Sequence, residues 1–95
     1  QEIIQEKKIL EKFFNTIGKE PDKATYGAEK VNLALDRGAV EILLISKEVS
    51  KDKIAELEKK AINIAADVVI ISTETEEGKQ FQNLSGMGAI LRFKV

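Results

Sequence analysis

Apolar and polar residues alternate along the chain in blocks that predict helices and strands in turn. In four blocks the apolar residues recur every three or four positions, which is typical of a helix with one buried face. Gly18 and Pro21 are expected to end the first helix and Gly38 the second, while Ser50 and Thr73 are candidate N-caps for the third and fourth. The predicted helices cover residues 2–16, 28–37 and 76–84, and the third, after Ser50, has its apolar positions at residues 54, 57, 61, 64 and 65.

Strand-like segments lie between and after these helices. Residues 42–45 and 68–71 are uninterrupted apolar runs, and such a run predicts a strand with both faces covered, as in the centre of a sheet between helices. The helix joining the two runs makes a parallel βαβ unit. With a short strand at residues 24–26 and a last one at 89–95, the pattern predicts an α/β sandwich of roughly four strands, with helices on both faces.

The last predicted strand differs from the others. Leu91, Phe93 and Val95 alternate with Arg92 and Lys94, a pattern that indicates one covered face and one solvated face. We therefore expect this strand at or near an edge of the sheet.

Length and composition limit the possible functions. A chain of 95 residues, with 43% hydrophobic and 33% charged residues, fits a single domain over residues 1–95. The net charge of -1 lacks the basic excess that binding to a phosphate backbone requires. No apolar run approaches the ~20 residues of a membrane-spanning helix. Since the chain begins with Gln1 and carries no signal-type segment, we interpret it as a piece of a longer protein.

Candidate catalytic chemistry is sparse. The absence of Cys and His excludes the usual zinc sites, cysteine nucleophiles and histidine acid–base catalysis. The turn Gly86-Met87-Gly88 follows a helix and opens a strand, which is the reverse of a dinucleotide-binding loop. We expect its glycines to let the backbone turn sharply and approach the sheet closely. The acidic run at residues 74–77 fits the solvated first turn of a helix better than a buried catalytic pair. We predict no catalytic, cofactor-binding or metal-binding residue and hence no enzyme.

The predicted edge strand beside the glycine turn is the strongest candidate for a binding surface. An edge that carries apolar groups and an arginine is a surface that a partner protein can cover. The alternative is an ordinary terminal strand with Arg92 in water. The predicted partner-binding residues are Gly86, Gly88, Ile90, Leu91, Arg92 and Phe93.

Several segments, in this order and spacing, resemble one family over nearly the whole chain. They are residues 6–10 before Phe13 and Phe14, then Tyr26-Gly27, residues 34–46, residues 77–81 and residues 86–95. The family is the C-terminal domain (domain 3) shared by archaeal and eukaryotic class 1 peptide chain release factors and their paralogue Pelota. The resemblance implies a three-layer α/β/α sandwich with a mostly parallel or mixed sheet, similar to the kink-turn-binding ribosomal proteins.

The resemblance also implies a function in the cytoplasm, in translation termination at the ribosome. In this family the domain engages a translational GTPase that delivers the factor, and later the recycling ATPase, and residues 89–93 match the segment implicated in the GTPase contact. Neither the codon-reading domain nor a Gly-Gly-Gln loop is present in this chain. We therefore predict a non-catalytic docking domain without a cofactor, membrane contact or sequence-specific contact to nucleic acid.

Two branches of the family remain open. Residues 6–8 and 77–81 resemble the release factors more than Pelota. The short connection at residues 47–53, where many release factors insert a small subdomain, resembles Pelota, an atypical release factor or a chain from which the insert was removed. A release factor is the leading hypothesis and a Pelota-type rescue factor is the alternative. A kink-turn RNA-binding module is a weaker one, because the charge is nearly neutral.

Overall fold

The chain forms a four-stranded sheet between two pairs of helices. A computed structural model describes the backbone of residues 2–94 and the side chains of residues 6–94. A 3-10 turn at Pro21–Lys23 follows the first helix. The helices are α1 (Glu2–Lys19), α2 (Ala28–Asp36), α3 (Lys51–Asn63) and α4 (Glu76–Leu84), and the strands are β1 (Ala24–Tyr26), β2 (Val40–Ser46), β3 (Asp67–Ile71) and β4 (Met87–Leu91).

The sheet is mixed, with the strand order β1-β4-β2-β3. β2 and β3 are parallel neighbours joined through α3, which confirms the predicted βαβ unit. β4 is antiparallel to both β1 and β2 and lies between them. The two edges of the sheet are therefore β1 and β3.

Each face of the sheet is covered by its own core. On one face Val31 and Leu35 of α2 and Leu57 of α3 pack against the sheet. On the other face Phe13 of α1 and Phe81 of α4 do so, and their rings meet edge to face with centroids 5.6 Å apart. These two clusters confirm the three-layer α/β/α sandwich.

The predicted edge position of the last strand is wrong. β4 spans Met87–Leu91 instead of residues 89–95, and Gly88 to Leu91 are all buried. The alternation that suggested an edge begins at Leu91, where the strand ends, so Arg92 and Phe93 belong to the segment after it. Val95 lies outside the described residues.

The pattern of burial in β3 also differs from the expected one. β3 is an edge strand, with Val68 and Val69 partly buried on opposite faces and Ile70 37% exposed. Helices pack against both faces of this strand but leave residues 68–70 partly exposed, and no strand of the described chain lies along its outer side. An apolar run therefore reports covered faces and does not report the position of a strand within the sheet.

The end of α1 and the N-cap of α4 differ from the positions predicted from the sequence. α1 continues through Gly18 to Lys19, and Glu20 then donates its N–H to the carbonyl of Thr16, so the stop comes at Pro21. The spacing of apolar residues predicts that Ile3 lies on the buried face of this helix, but its side chain is outside the described residues. The cap of α4 is Thr75, whose hydroxyl accepts from the Gly78 N–H at 3.0 Å, and the predicted cap Thr73 lies before it.

The other helix signals agree with the sequence. α4 covers residues 76–84 as predicted, and the Ser50 hydroxyl caps α3 by accepting from the Lys53 N–H at 3.3 Å. No helix within residues 2–94 has the length and apolar character needed to span a membrane.

Candidate docking surface

The glycine turn that leads into β4 lies inside the domain. Gly86 has a φ of 77°, a left-handed conformation that glycine adopts without steric cost. Its N–H donates to the Phe81 carbonyl at 3.0 Å, and its carbonyl accepts from the Ser46 N–H at 2.7 Å. The turn therefore joins the end of α4 to β2, which confirms that its role is a sharp reversal of the backbone.

Gly88 lies where a helix approaches the sheet closely. A Cβ added at this position would stand 2.5 Å from the Cζ atom of Phe13, well inside contact distance. Glycine is thus what allows the Phe13 ring to rest on β4. The expected close approach of the backbone is confirmed.

Four of the six predicted partner-binding residues are interior. Gly86 and Gly88 are buried, and Ile90 and Leu91 are 4% and 6% exposed because each belongs to one of the two cores. Their side chains hold the sheet between the helices. Only Arg92 and Phe93 of the predicted set reach the surface.

Arg92 fastens the segment after β4 to the body of the domain. Its backbone N–H donates to the Ala39 carbonyl at 2.7 Å. Its guanidinium Nη2 donates to the Val40 carbonyl at 2.7 Å and to the Ile64 carbonyl, at the end of α3, at 3.2 Å. A cation suits this position, since the last carbonyls of a helix are the negative end of its dipole. The alternative, a terminal strand with Arg92 in water, describes its exposure but misses these bonds to backbone carbonyls.

Phe93 follows this anchor and presents an apolar ring to solvent. It is 47% exposed, while Lys94 next to it pairs with Asp22 in the 3-10 turn at an Nζ–Oδ2 distance of 3.6 Å. Arg92 thus anchors the backbone immediately before Phe93, whereas the Lys94–Asp22 pair, with both side chains 70% exposed, contributes little. An exposed aromatic side chain that is already restrained loses little entropy when a partner covers it.

An open groove borders this segment along β1 and α2. Leu33, on its α2 side, is 47% exposed, and Lys30 lies above the Tyr26 ring with its Nζ 6.0 Å from the centroid. In the sequence, Phe93 lies between Leu91 and Lys94. Leu91 lines the groove, and so does Asp22, the residue with which Lys94 pairs. We call this the β1–α2 groove; its lining residues are Pro21, Asp22, Ala24, Thr25, Lys30, Leu33, Ala34 and Leu91.

Sequence reasoning missed the α2 side of this surface. The helical spacing assigns Ala28, Val31, Ala34 and Leu35 to the inner stripe of α2; the last three are buried and Ala28 is partly buried. Leu33 lies outside that stripe. It is the sequence signal from which the α2 side of the surface could have been identified, since a large apolar residue on the solvated face of a helix is a candidate contact residue. Together, Leu33 and Phe93 provide apolar contact area, and Lys30 and Asp22 provide charges of both signs.

Comparison with known proteins places the chain in a family. The sequence profile described as eRF1 domain 3 matches residues 3–95. The chain belongs to the eRF1 domain 3 family. This confirms the resemblance found in the sequence, and members of both branches are among its relatives.

Two curated relatives represent these branches. A protein pelota homolog of Methanopyrus kandleri is 35% identical over 98% of this chain and 28% of its own length. The peptide chain release factor subunit 1 of Pyrococcus abyssi is 34% identical over 99% of this chain and 34% of its own length. The chain thus spans about a third or less of the relatives it matches. The preference for the release-factor branch stays a prediction.

Solved structures share the fold. Archaeal Pelota, described as ribosome-bound together with ABCE1, is 30% identical over 99% of this chain and 27% of its own length, with a TM-score of 0.85. Saccharomyces cerevisiae Dom34, described as a translation termination-like factor that interacts with Hbs1, is 24% identical over 96% of this chain and 27% of its own length, with a TM-score of 0.87. The second similarity concerns the fold alone.

Proposed function

We propose that this chain is the non-catalytic docking domain of a translation termination or ribosome rescue factor, and that it binds the delivery GTPase through Phe93 and the β1–α2 groove. The observation that carries the proposal is the exposed Phe93 ring, which directly follows the anchor at Arg92 and lies two residues after Leu91, a lining residue of the groove. Membership of the eRF1 domain 3 family supports the class of partner.

The roles of the two surface residues differ in this proposal. Phe93 provides the contact, because an aromatic side chain at the centre of an interface commonly accounts for much of the binding energy. Arg92 is a positioning residue, since its guanidinium is committed to carbonyls of β2 and the end of α3. Gly86, Gly88, Ile90 and Leu91 act only by holding the fold that presents Phe93.

A second contact, to the recycling ATPase, belongs to the same proposal. It is supported by the ribosome-bound archaeal Pelota described together with ABCE1, to which this chain is 30% identical. We propose that the GTPase and the ATPase bind in succession during one cycle at the ribosome. Competition between them for the isolated domain would indicate a shared surface.

Calorimetric titration with an archaeal delivery GTPase tests the proposal. We expect Phe93→Ala to weaken binding by about tenfold or more, since truncation of a central aromatic anchor costs at least about 1.4 kcal/mol. Ile62→Ala is the matched control, because Ile62 is an apolar side chain on α3 that is 72% exposed and does not line the groove. Equal affinities of the wild type and Phe93→Ala would contradict the proposed surface.

The short connection between β2 and α3 favours a rescue factor as the second candidate. Only residues 47–50 separate Ser46, the end of β2, from Lys51, the start of α3, so no subdomain is inserted there. The test is the sequence of the full-length protein. A Gly-Gly-Gln loop in its preceding domain would decide for a release factor, and a domain of that kind without the loop would decide for Pelota.

A further inference from the structure

The second edge of the sheet, β3, offers unpaired backbone groups. The Ile71 carbonyl accepts from the Lys47 N–H at 2.9 Å, so the backbone groups of Ile71 point toward β2. Because these directions alternate along a strand, the N–H and C=O groups of Val68 and Ile70 point away from β2. Within residues 2–94 β3 pairs with β2 alone. Two donors and two acceptors therefore line the outer side of β3.

One of the outward-pointing backbone groups already has a hydrogen-bond partner, and that partner indicates which kind of chemical group the edge can bind. The Ser72 N–H, next in this outward row, donates to the Glu6 Oε1 atom at 3.2 Å. The carboxylate thus occupies the place that a carbonyl of a neighbouring strand would take. The other oxygen, Oε2, is buried and finds no hydrogen-bond donor among the described residues. Glu6 therefore ends the open edge and leaves an unused acceptor beside it.

An apolar groove lies along the α1 side of this edge. Ile9 of α1, Ile42 of β2 and Val69 of β3 provide its apolar lining, and Ile70, whose side chain points to the other face of the sheet, borders it. Its charged lining residues, Glu6 and Asp67, are both acidic. Asp67 begins β3 and Glu6 binds just beyond its end, so the carboxylates bracket the open edge at a spacing of about 17 Å for five residues of strand.

We propose that the outer edge of β3 binds an extended segment of a partner protein as an additional strand, and that this segment carries alternating apolar residues between two basic ones. Backbone hydrogen bonds to Val68 and Ile70 would provide the pairing, and alternate apolar side chains would enter the groove. The two basic residues would meet Asp67 and Glu6. This surface is at the opposite edge of the sheet from the β1–α2 groove and does not depend on the function proposed for that groove.

The charges argue against a second copy of this chain as the occupant. Two copies paired through β3 would each bring Glu6 and Asp67 to the shared edge, so four carboxylates would gather there. Like charges brought together in this way oppose association. A basic strand from a different protein removes that conflict.

The 95-residue domain and two synthetic peptides test the pairing. We use acetyl-KTVTVTK-amide as the probe, since its lysines and valines share one face of the extended chain and can all point into the groove, and acetyl-ETVTVTE-amide, which reverses only the terminal charges, as its control. In amide NMR titrations at low salt we expect the basic peptide to shift the Val68 and Ile70 amides and to slow their exchange with solvent. The acidic peptide should bind about tenfold more weakly or not at all, because it meets two carboxylates.

A variant with a matched control locates the binding. Ile70→Lys places a cation on the exposed position of the edge strand, a change that blocks strand pairing, and should weaken binding of the basic peptide by about tenfold or more. Ile62→Lys makes the same change at an exposed apolar position of α3 and should leave affinity within about twofold. Both variants are first checked for folding by circular dichroism.

Three outcomes would overturn the inference. They are the absence of binding by the basic peptide to the folded wild type, equal binding of both peptides, and amide shifts confined to β1. Concentration-dependent dimerisation of the wild type that Ile70→Lys abolishes would identify a second copy as the occupant and would also overturn it.

Discussion

The guanidinium of Arg92 donates to the backbone oxygen of Val40 at 2.7 Å, across 52 positions of sequence. This bond joins the segment after the last strand to the first residue of β2. A second bond, to the Ile64 carbonyl, includes the end of α3. One exposed side chain therefore fixes where three parts of the domain meet, and its loss affects stability before it affects any contact with a partner.

Replacement of Arg92 tests this positioning role. Arg92→Ala should lower the free energy of unfolding by about 1 kcal/mol, the usual contribution of a partly exposed hydrogen-bonded group. Arg92→Lys should lose less, because an ammonium group retains a donor for one of the carbonyls. Urea denaturation followed by circular dichroism measures the difference. A stability of Arg92→Ala equal to that of the wild type would mean that these bonds contribute nothing.

Alanine at two glycine positions should act in opposite directions. Gly88→Ala forces a Cβ against the Phe13 ring and should destabilise the domain by about 1–3 kcal/mol, as other overpacking substitutions do. Gly18→Ala is the control, since Gly18 is an exposed position of α1 with no atom within 4 Å of an added Cβ. It should stabilise the helix by about 0.5–1 kcal/mol. Thermal unfolding of both variants checks the pair, and a stable Gly88→Ala would refute the close approach.

The cap of α4 can be assigned by two threonine variants. Thr75→Ala removes the hydroxyl that accepts from the Gly78 N–H and should cost about 1 kcal/mol of unfolding free energy. Thr73→Ala removes only an exposed 3.3 Å hydrogen bond to Glu48 and should change stability by less than about 0.5 kcal/mol. Denaturant titration compares them. A larger effect at Thr73 would assign the cap to the position favoured by the sequence pattern.

Much of the architecture could be predicted because the burial of each face of the sheet determines how apolar residues are spaced along the sequence. The apolar run at residues 42–45 identified β2 as a covered central strand, and the helical spacing of Leu57 and Ala61 identified the helix that follows. The same signal at residues 68–71 could not separate an edge strand from a central one. Helices pack against both faces of each strand. What distinguishes β3 is that it lacks a second neighbouring strand, and such a neighbour would bind through the backbone, so its absence does not change the type of side chain along β3.

Only part of the candidate docking surface could be predicted from the sequence. The sequence identifies Arg92 and Phe93. However, the alternation that starts at Leu91 predicts a strand, whereas the segment after Leu91 is held by side-chain bonds over long sequence distances. The contribution of Leu33 depends on α2 lying beside β1. That proximity is a property of the folded chain and cannot be derived from the spacing within α2.

The central position of β4 has a consequence for how the protein folds as it is made. β4 is the last of the four strands to be synthesised, yet it must insert between β1 and β2, which are made much earlier. Until β4 leaves the exit tunnel of the translating ribosome, β1 has no neighbour in the sheet and one side of β2 is unpaired. Domain closure is therefore a late, long-range event, and a nascent chain stalled before Met87 would expose an unpaired edge of the apolar strand β2 to chaperones and to aggregation.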